Sequence, residues 1–189
     1  MTTSRRNFMR GTGIGLLGFS VAGSSVLLSP RQARAKGAIL RVLNDSEVEL
    51  IEAFGEALVP GARDNGIAYF VDQQLSVEAN DALLMIKYFN VPPPYADFYR
   101  AGLAALDAYS RAIHDKSFVS LNDAETTAVI EGLVAALNGG SPEGWQGPPA
   151  VLVYFAVRAD AVDVVYGTAE GFERLGVPYM PHIVPPEPW

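Results

Sequence analysis

The sequence contains no cysteine, only two histidines (His114 and His182), and fewer basic residues than acidic ones, 14 Lys and Arg against 21 Asp and Glu. The missing thiols exclude a disulfide framework, a thiolate zinc site, an iron–sulfur cluster and a cysteine nucleophile. Two histidines leave little material for a histidine-rich metal centre. A formal charge of −7 argues against nucleic-acid binding, which needs Lys and Arg gathered toward phosphates. The chain also has no G-x-S-x-G nucleophile elbow, no G-x-x-x-x-G-K-[ST] phosphate loop and no tandem repeat. It is rich in apolar residues, 49% of the total, which excludes a disordered chain.

The charge is divided unevenly. Residues 1–35 hold Arg5, Arg6, Arg10, Arg31 and Arg34 and no acidic residue, leaving nine basic and 21 acidic residues, a net −12, in the remainder. Such a split marks two pieces with different tasks. The first reads as a targeting peptide: a basic stretch to Arg10, an uncharged run of 20 residues from Gly11 to Pro30, then Ala33-Arg34-Ala35 with the small-x-small pattern of a leader-peptidase site. A cut after Ala35 is expected. Ser4-Arg5-Arg6-Asn7-Phe8-Met9-Arg10 resembles the twin-arginine (Tat) export signal, with Arg5, Arg6 and Phe8 at its defining places. The many Gly and Ser residues of the uncharged run make it only mildly hydrophobic. Its length would also allow an uncleaved membrane anchor, although Gly and Ser insert less well than Leu. Gly13-Ile14-Gly15-Leu16-Leu17-Gly18 spells G-x-G-x-x-G, but a basic stretch precedes it where a dinucleotide site needs a strand, so no cofactor is inferred from it.

The remainder, 36–189, reads as one all-α domain: a compact irregular bundle of about six helices with a Pro-rich, extended C-terminal tail. A first helix is expected from Asn44-Asp45-Ser46, through Val48, Ile51, Phe54 and Leu58, to the stop at Pro60-Gly61. Glu47, Glu49, Glu52 and Glu56 fall on its solvent side. Gly66 opens a short second helix through Ile67, Phe70, Val71 and Leu75. A third is expected from Asn80-Asp81 to Phe89, burying Leu83, Ile86 and Phe89. Pro92-Pro93-Pro94 must be extended. A fourth runs from Tyr95 to His114 with Phe98, Gly102, Leu106, Tyr109 and Ile113 as its buried stripe. Asn122 with Glu125 three residues on resembles a capping box that starts a fifth helix, through Val129, Leu133, Ala136 and Leu137. A Gly- and Pro-rich loop surrounds Trp145. The last helix spans Pro149 to Tyr166, with Leu152, Phe155, Ala159 and Val162 expected inward; its stretch 151–155 is equally compatible with a strand by periodicity, and the spacing beyond Arg158 favours helix.

Chemistry-bearing residues are sparse. Asp160 and Asp163, three apart on the last helix, could share a face, and paired carboxylates can do acid–base work; a solvated or capping role is the simpler reading. His114 ends a long helix, where a cation complements the dipole, and His182 lies in the tail. No catalytic, cofactor-binding or metal-binding residue is assigned. The aromatics of the segment 165–189, Tyr166, Phe172, Tyr179 and Trp189, need a surface to lie on, either their own bundle or another chain, and are the candidate partner-binding residues.

The Tat leader, the helix ending Glu56-Ala57-Leu58-Val59-Pro60-Gly61, the run Arg100-Ala101-Gly102-Leu103-Ala104-Ala105-Leu106-Asp107, and the C-terminal stretches Val165–Phe172 and Gly176–Ile183 together resemble the small subunit (subunit 3, or gamma) of gluconate 2-dehydrogenase-type flavoprotein complexes. A Gly-Gly-Asn-type segment carried by many relatives after the last helix is missing. The resemblance implies a non-catalytic subunit. It would bind, stabilise and escort through the Tat translocase an FAD-containing large subunit of the glucose–methanol–choline (GMC) type, which oxidises a sugar, sugar acid or alcohol. It implies a periplasmic location, FAD in the partner rather than in this chain, and a membrane cytochrome c as a further subunit. Two other readings stay open: a stand-alone periplasmic enzyme using Asp160 or Asp163, and a membrane-tethered interaction domain.

Overall fold

The computed structural model describes residues 16–136 and 140–177. Its main body is a mostly helical bundle, as the periodicity requires, with one small sheet at the N-terminal end. That sheet is an antiparallel hairpin of β1 (Leu17–Val21) and β2 (Ser24–Leu28), with Leu17 opposite Leu28 and Phe19 opposite Val26. Its turn places Ala22 at φ 47° and Gly23 at φ 79°, the doubly positive pair that a two-residue hairpin loop demands. Leu17 and Phe19 point into the core while Gly18 faces solvent, the period of two expected of a half-covered strand. Helix α1 (Pro30–Ala35) follows directly. Ser29 Oγ accepts from Gln32 N–H, and Gln32 Oε1 accepts from Ser29 N–H, a complete capping box.

Helix α2 (Asp45–Leu58) begins at the predicted cap, where Asn44 and Glu47 satisfy each other's backbone N–H, and it buries Ile51 and Phe54. Its expected solvent-side carboxylates have specific work. Glu56 accepts from the N–H groups of Gly61 and Arg63 and so organises the chain reversal after the helix; Glu47 pairs with Arg100 at 3.2 Å. Gly66, at φ 82°, starts α3 (Ile67–Leu75). Helix α4 (Tyr95–His114) and α5 (Asp123–Ala135) also start as predicted, α5 with the Asn122–Glu125 capping box. Helix α6 (Ala150–Tyr166) packs against α2, α3, α4 and α5 and is the central helix of the bundle; the short α7 (Ala169–Arg174) closes the described chain against it. The stretch 151–155 is helical, not a strand.

Three expectations fail. The helix predicted over 80–89 is only a 3-10 turn at Met85–Phe89. Gln74 Oε1 captures the N–H of Leu83, and Lys87 Nζ bonds the carbonyl of Asn80, so side chains take over backbone partners that a helix would use. Leu84 and Ile86 are buried there, whereas Leu83 and Phe89, both expected inside, are 52% and 40% exposed. Ile113, at the end of the α4 stripe, is exposed as well, beyond the reach of the packing helices. Most consequentially, α6 is rotated from its predicted phase. Val153, Ala156, Val157, Asp160, Ala161 and Val164 are fully buried, whereas of the expected inward set Leu152, Ala159 and Val162 are only half-buried, Leu152 and Val162 against the edge of the core, and Phe155 is exposed. The tail from residue 178, with Tyr179, His182 and Trp189, lies outside the described residues, as do Arg5, Arg6, Phe8 and Leu137.

Candidate functional site

The phase of α6 creates a buried acid contact between two long helices. Gly102 lets α4 approach α6 closely; an added Cβ would sit 2.8 Å from Val153 Cγ2. One turn earlier on α4, Tyr99 is 1% exposed, and its hydroxyl donates to Asp160 Oδ2 at 2.6 Å. Asp160 is likewise 1% exposed, and its Oδ1 has no protein partner among the described residues. Burial pushes the Asp160 carboxyl up, the Tyr99 hydrogen bond pulls it back, and the neighbouring Asp163 charge adds to the rise, to about 8. Burial and the adjacent Asp160 in turn raise the Tyr99 phenol well above its ordinary range. At neutral pH Asp160 is therefore a neutral acid joining two helices. The simple expectation of a solvated carboxylate does not hold for it, because its position depends on a helix phase that the sequence does not disclose.

Asp163 stands one turn away at the edge of a cavity of about 130 Å³, walled by Leu17, Pro30, Phe70, Leu83 and Thr168. Desolvation against these apolar walls raises its carboxyl too. The cavity is below the roughly 300 Å³ from which small-molecule sites ordinarily start. Asp160 and Asp163 share a helix and feel each other's charge, but only Asp163 lines the cavity while Asp160 is enclosed against Tyr99.

A second buried carboxylate escaped the sequence reading. Asp72 on α3 is 3% exposed and accepts from the backbone N–H groups of Arg41, Val42 and Leu43, with Val42 N at 2.7 Å and Leu43 N at 2.9 Å. It holds the incoming chain in a turn ahead of α2. The only sequence signal was an acid inside the apolar run 67–75. His114 does end α4; its Nε2 is buried without a protein partner among the described residues. Among the described residues no cluster of three or more His, Asp or Glu could hold a metal ion, and no helix is long and apolar enough to cross a membrane.

The remaining candidates form a surface. Phe155 and Tyr166 on α6 are 38% and 42% exposed, while Leu152, Ala159 and Val162 beside them are half-buried. The 3-10 turn that packs on α6 carries the exposed Met85, Tyr88 and Phe89. Phe172 is half-buried on α7. At the other end, Ala33 and Ala35, the expected cleavage residues, lie in α1, with Ala33 fully buried and Ala35 exposed.

No curated protein and no solved structure matches the chain. A family model does: gluconate 2-dehydrogenase subunit 3 matches residues 45–185, from the first residue of α2 into the Pro-rich tail. On that span, most of the sequence, the chain belongs to the gluconate 2-dehydrogenase subunit 3 family.

Proposed function

We propose that this chain is the non-catalytic small subunit of a dehydrogenase complex. It binds and stabilises a large FAD-containing subunit of the GMC type and escorts it through the Tat pathway to the periplasm. The partner oxidises a sugar, sugar acid or alcohol and passes electrons to a membrane cytochrome c; the FAD resides in the partner. The observation that carries this reading is the family match over residues 45–185. The motif Ser4–Arg10 supports the export role. The outer face of α6 supports the binding role. Phe155 and Tyr166 remain open to solvent there, on either side of the exposed Arg158 and Asp163, and exposed aromatics are the residue type enriched at interface anchors.

The test is to produce the large subunit with this chain, without it, and with the chain carrying Arg5→Lys and Arg6→Lys together. Dehydrogenase activity is expected in the periplasm only with the unaltered chain. Equal periplasmic activity in all three cases overturns the reading.

A further inference from the structure

Residues 17–35 precede the family match, fall in the region whose composition reads as a leader, and yet are folded into the domain. Leu17, Phe19 and Leu28 are 8%, 5% and 6% exposed and belong to the same core cluster as Ile51, Phe54 and Val71. Helix α1 packs on α3, and Gly66 is glycine because any Cβ there would meet the carbonyl oxygen of Pro30. Arg34 reaches Glu52 at 3.6 Å and Asp64 at 3.4 Å, on α2 and on the turn after it. The outgoing chain is tied back as well, with Ile39 N–H donating to Ser20 O at 2.9 Å.

The bond between Ala35 and Lys36 is spanned by three hydrogen bonds: Lys36 N–H to Gln32 O, Gly37 N–H to Arg34 O, and Ala38 N–H to Ala33 O. A leader peptidase must place the side chains at −1 and −3 in its own shallow pockets. Here the −3 residue, Ala33, has no exposed surface. Cutting would require α1 to unwind and Ala33 to leave the core.

We infer that residues 17–35 are a permanent structural part of the working protein, and that the peptide bond after Ala35 is not a processing site. Two consequences follow. Any removal of the twin-arginine segment happens upstream of Leu17. The uncharged run also cannot anchor the folded domain in a bilayer. The hairpin and its turn use residues 17–28, leaving only Gly11 to Leu16 between the basic stretch and the first strand; six residues rise about 9 Å as a helix against the ~30 Å of a hydrocarbon core. The inference goes beyond the escort reading and rests only on its export route, not on the partner. The two meet at one point: a route that exports folded cargo presents the peptidase with α1 already formed.

The experiment is intact-mass and N-terminal peptide mass spectrometry on the full chain, expressed from residue 1 with a C-terminal tag and purified from the periplasmic and membrane fractions. The expected N-terminus lies at or before residue 16; a mature start at Lys36 overturns the inference. In a second arm, thermal unfolding compares the full chain with chains beginning at Leu16 and at Lys36. The Leu16 chain should melt with the full chain, and the Lys36 chain should melt at least about 10 °C lower or fail to fold. Equal melting of all three overturns the inference. Partner export is read separately. A start at Lys36 with the partner still exported removes this inference and leaves the escort function. An intact segment with export indifferent to Arg5→Lys and Arg6→Lys removes the escort function and leaves this one.

Discussion

Two buried aspartates show what one residue decides in this bundle. Asp72 accepts from three backbone N–H groups and so fixes a loop; Asp160 meets a single phenol and stays protonated, with a pKa near 8. The sign of its effect on stability follows. The unfolded chain releases this proton near the ordinary value of 3.8, while the folded chain keeps it until about 8. Between those values the native state binds more protons than the unfolded one, so the contribution of this group is complete below about pH 4 and is lost as the pH rises through 8, at about 1.4 kcal/mol per pH unit. Asp107 works the other way. Partial burial raises it, but hydrogen bonds from Ser117, the Phe118 N–H and Arg111 outweigh burial and hold it low, so its contribution is lost on acidification. Asp160→Asn preserves shape and offers an amide oxygen to Tyr99. Urea unfolding between about pH 5 and about pH 8 should show a falling stability for the natural chain and a nearly flat one for the variant. The same slope in both would mean that Asp160 is already ionised in the fold. At this scale the sequence was legible where chemistry is local. Asn44 with Glu47 and Asn122 with Glu125 could be recognised as caps because both partners lie within one turn. Asp160 and Asp72 could not, because their partners are 61 and about 30 residues away.

At the scale of elements, helix existence was readable for every long helix, and facing was readable only where one side is polar. On α2 the glutamates oppose Ile51 and Phe54, and the predicted face is the buried one. On α6 the sequence Ala150–Tyr166 is apolar almost all round, so period alone admits either phase; the choice falls to Gly102, which brings Val153 against α4, and to Tyr99, which brings Asp160 inside. Phe155 and Tyr166, left exposed by that phase, are the face proposed above for a partner. Phe155→Lys and Tyr166→Lys, separately and together, place a charge on it without touching the core. Each should change folding stability by no more than about 1 kcal/mol. Co-purification of the large subunit should weaken at least about tenfold, since exposed aromatics of this kind anchor interfaces. Unchanged capture by the double variant would move the interface off α6. The failed helix at 80–89 teaches a related point: its apolar spacing is real, but Gln74 and Lys87 bind the backbone groups that the helix would have used.

For the whole molecule, the decisive question is whether the N-terminal hairpin and α1 are cargo to be discarded or masonry. Composition could not separate these. Small residues that soften a leader also serve a tight hairpin turn, and an uncharged run reads alike as a membrane-bound stretch or as strands half-covered by a core. Only long-range packing distinguishes them, and it converges on Gly66. This residue has a left-handed backbone and lies against the Pro30 carbonyl, where α1 leans on the body. Gly37 has a similar φ of +60° with open space around it. Alanine at either position incurs the left-handed penalty of roughly 1 kcal/mol. Only at Gly66 does the new methyl also push α1 away. Gly66→Ala should therefore lower the melting temperature clearly more than Gly37→Ala, and amide hydrogen exchange in β1 and β2 should quicken in the first variant alone. Equal losses, with unaltered exchange in the hairpin, would mean that α1 does not bear on the bundle at Gly66. The contact that makes the N-terminal segment part of the domain would then have to be sought at Arg34 and its two carboxylates.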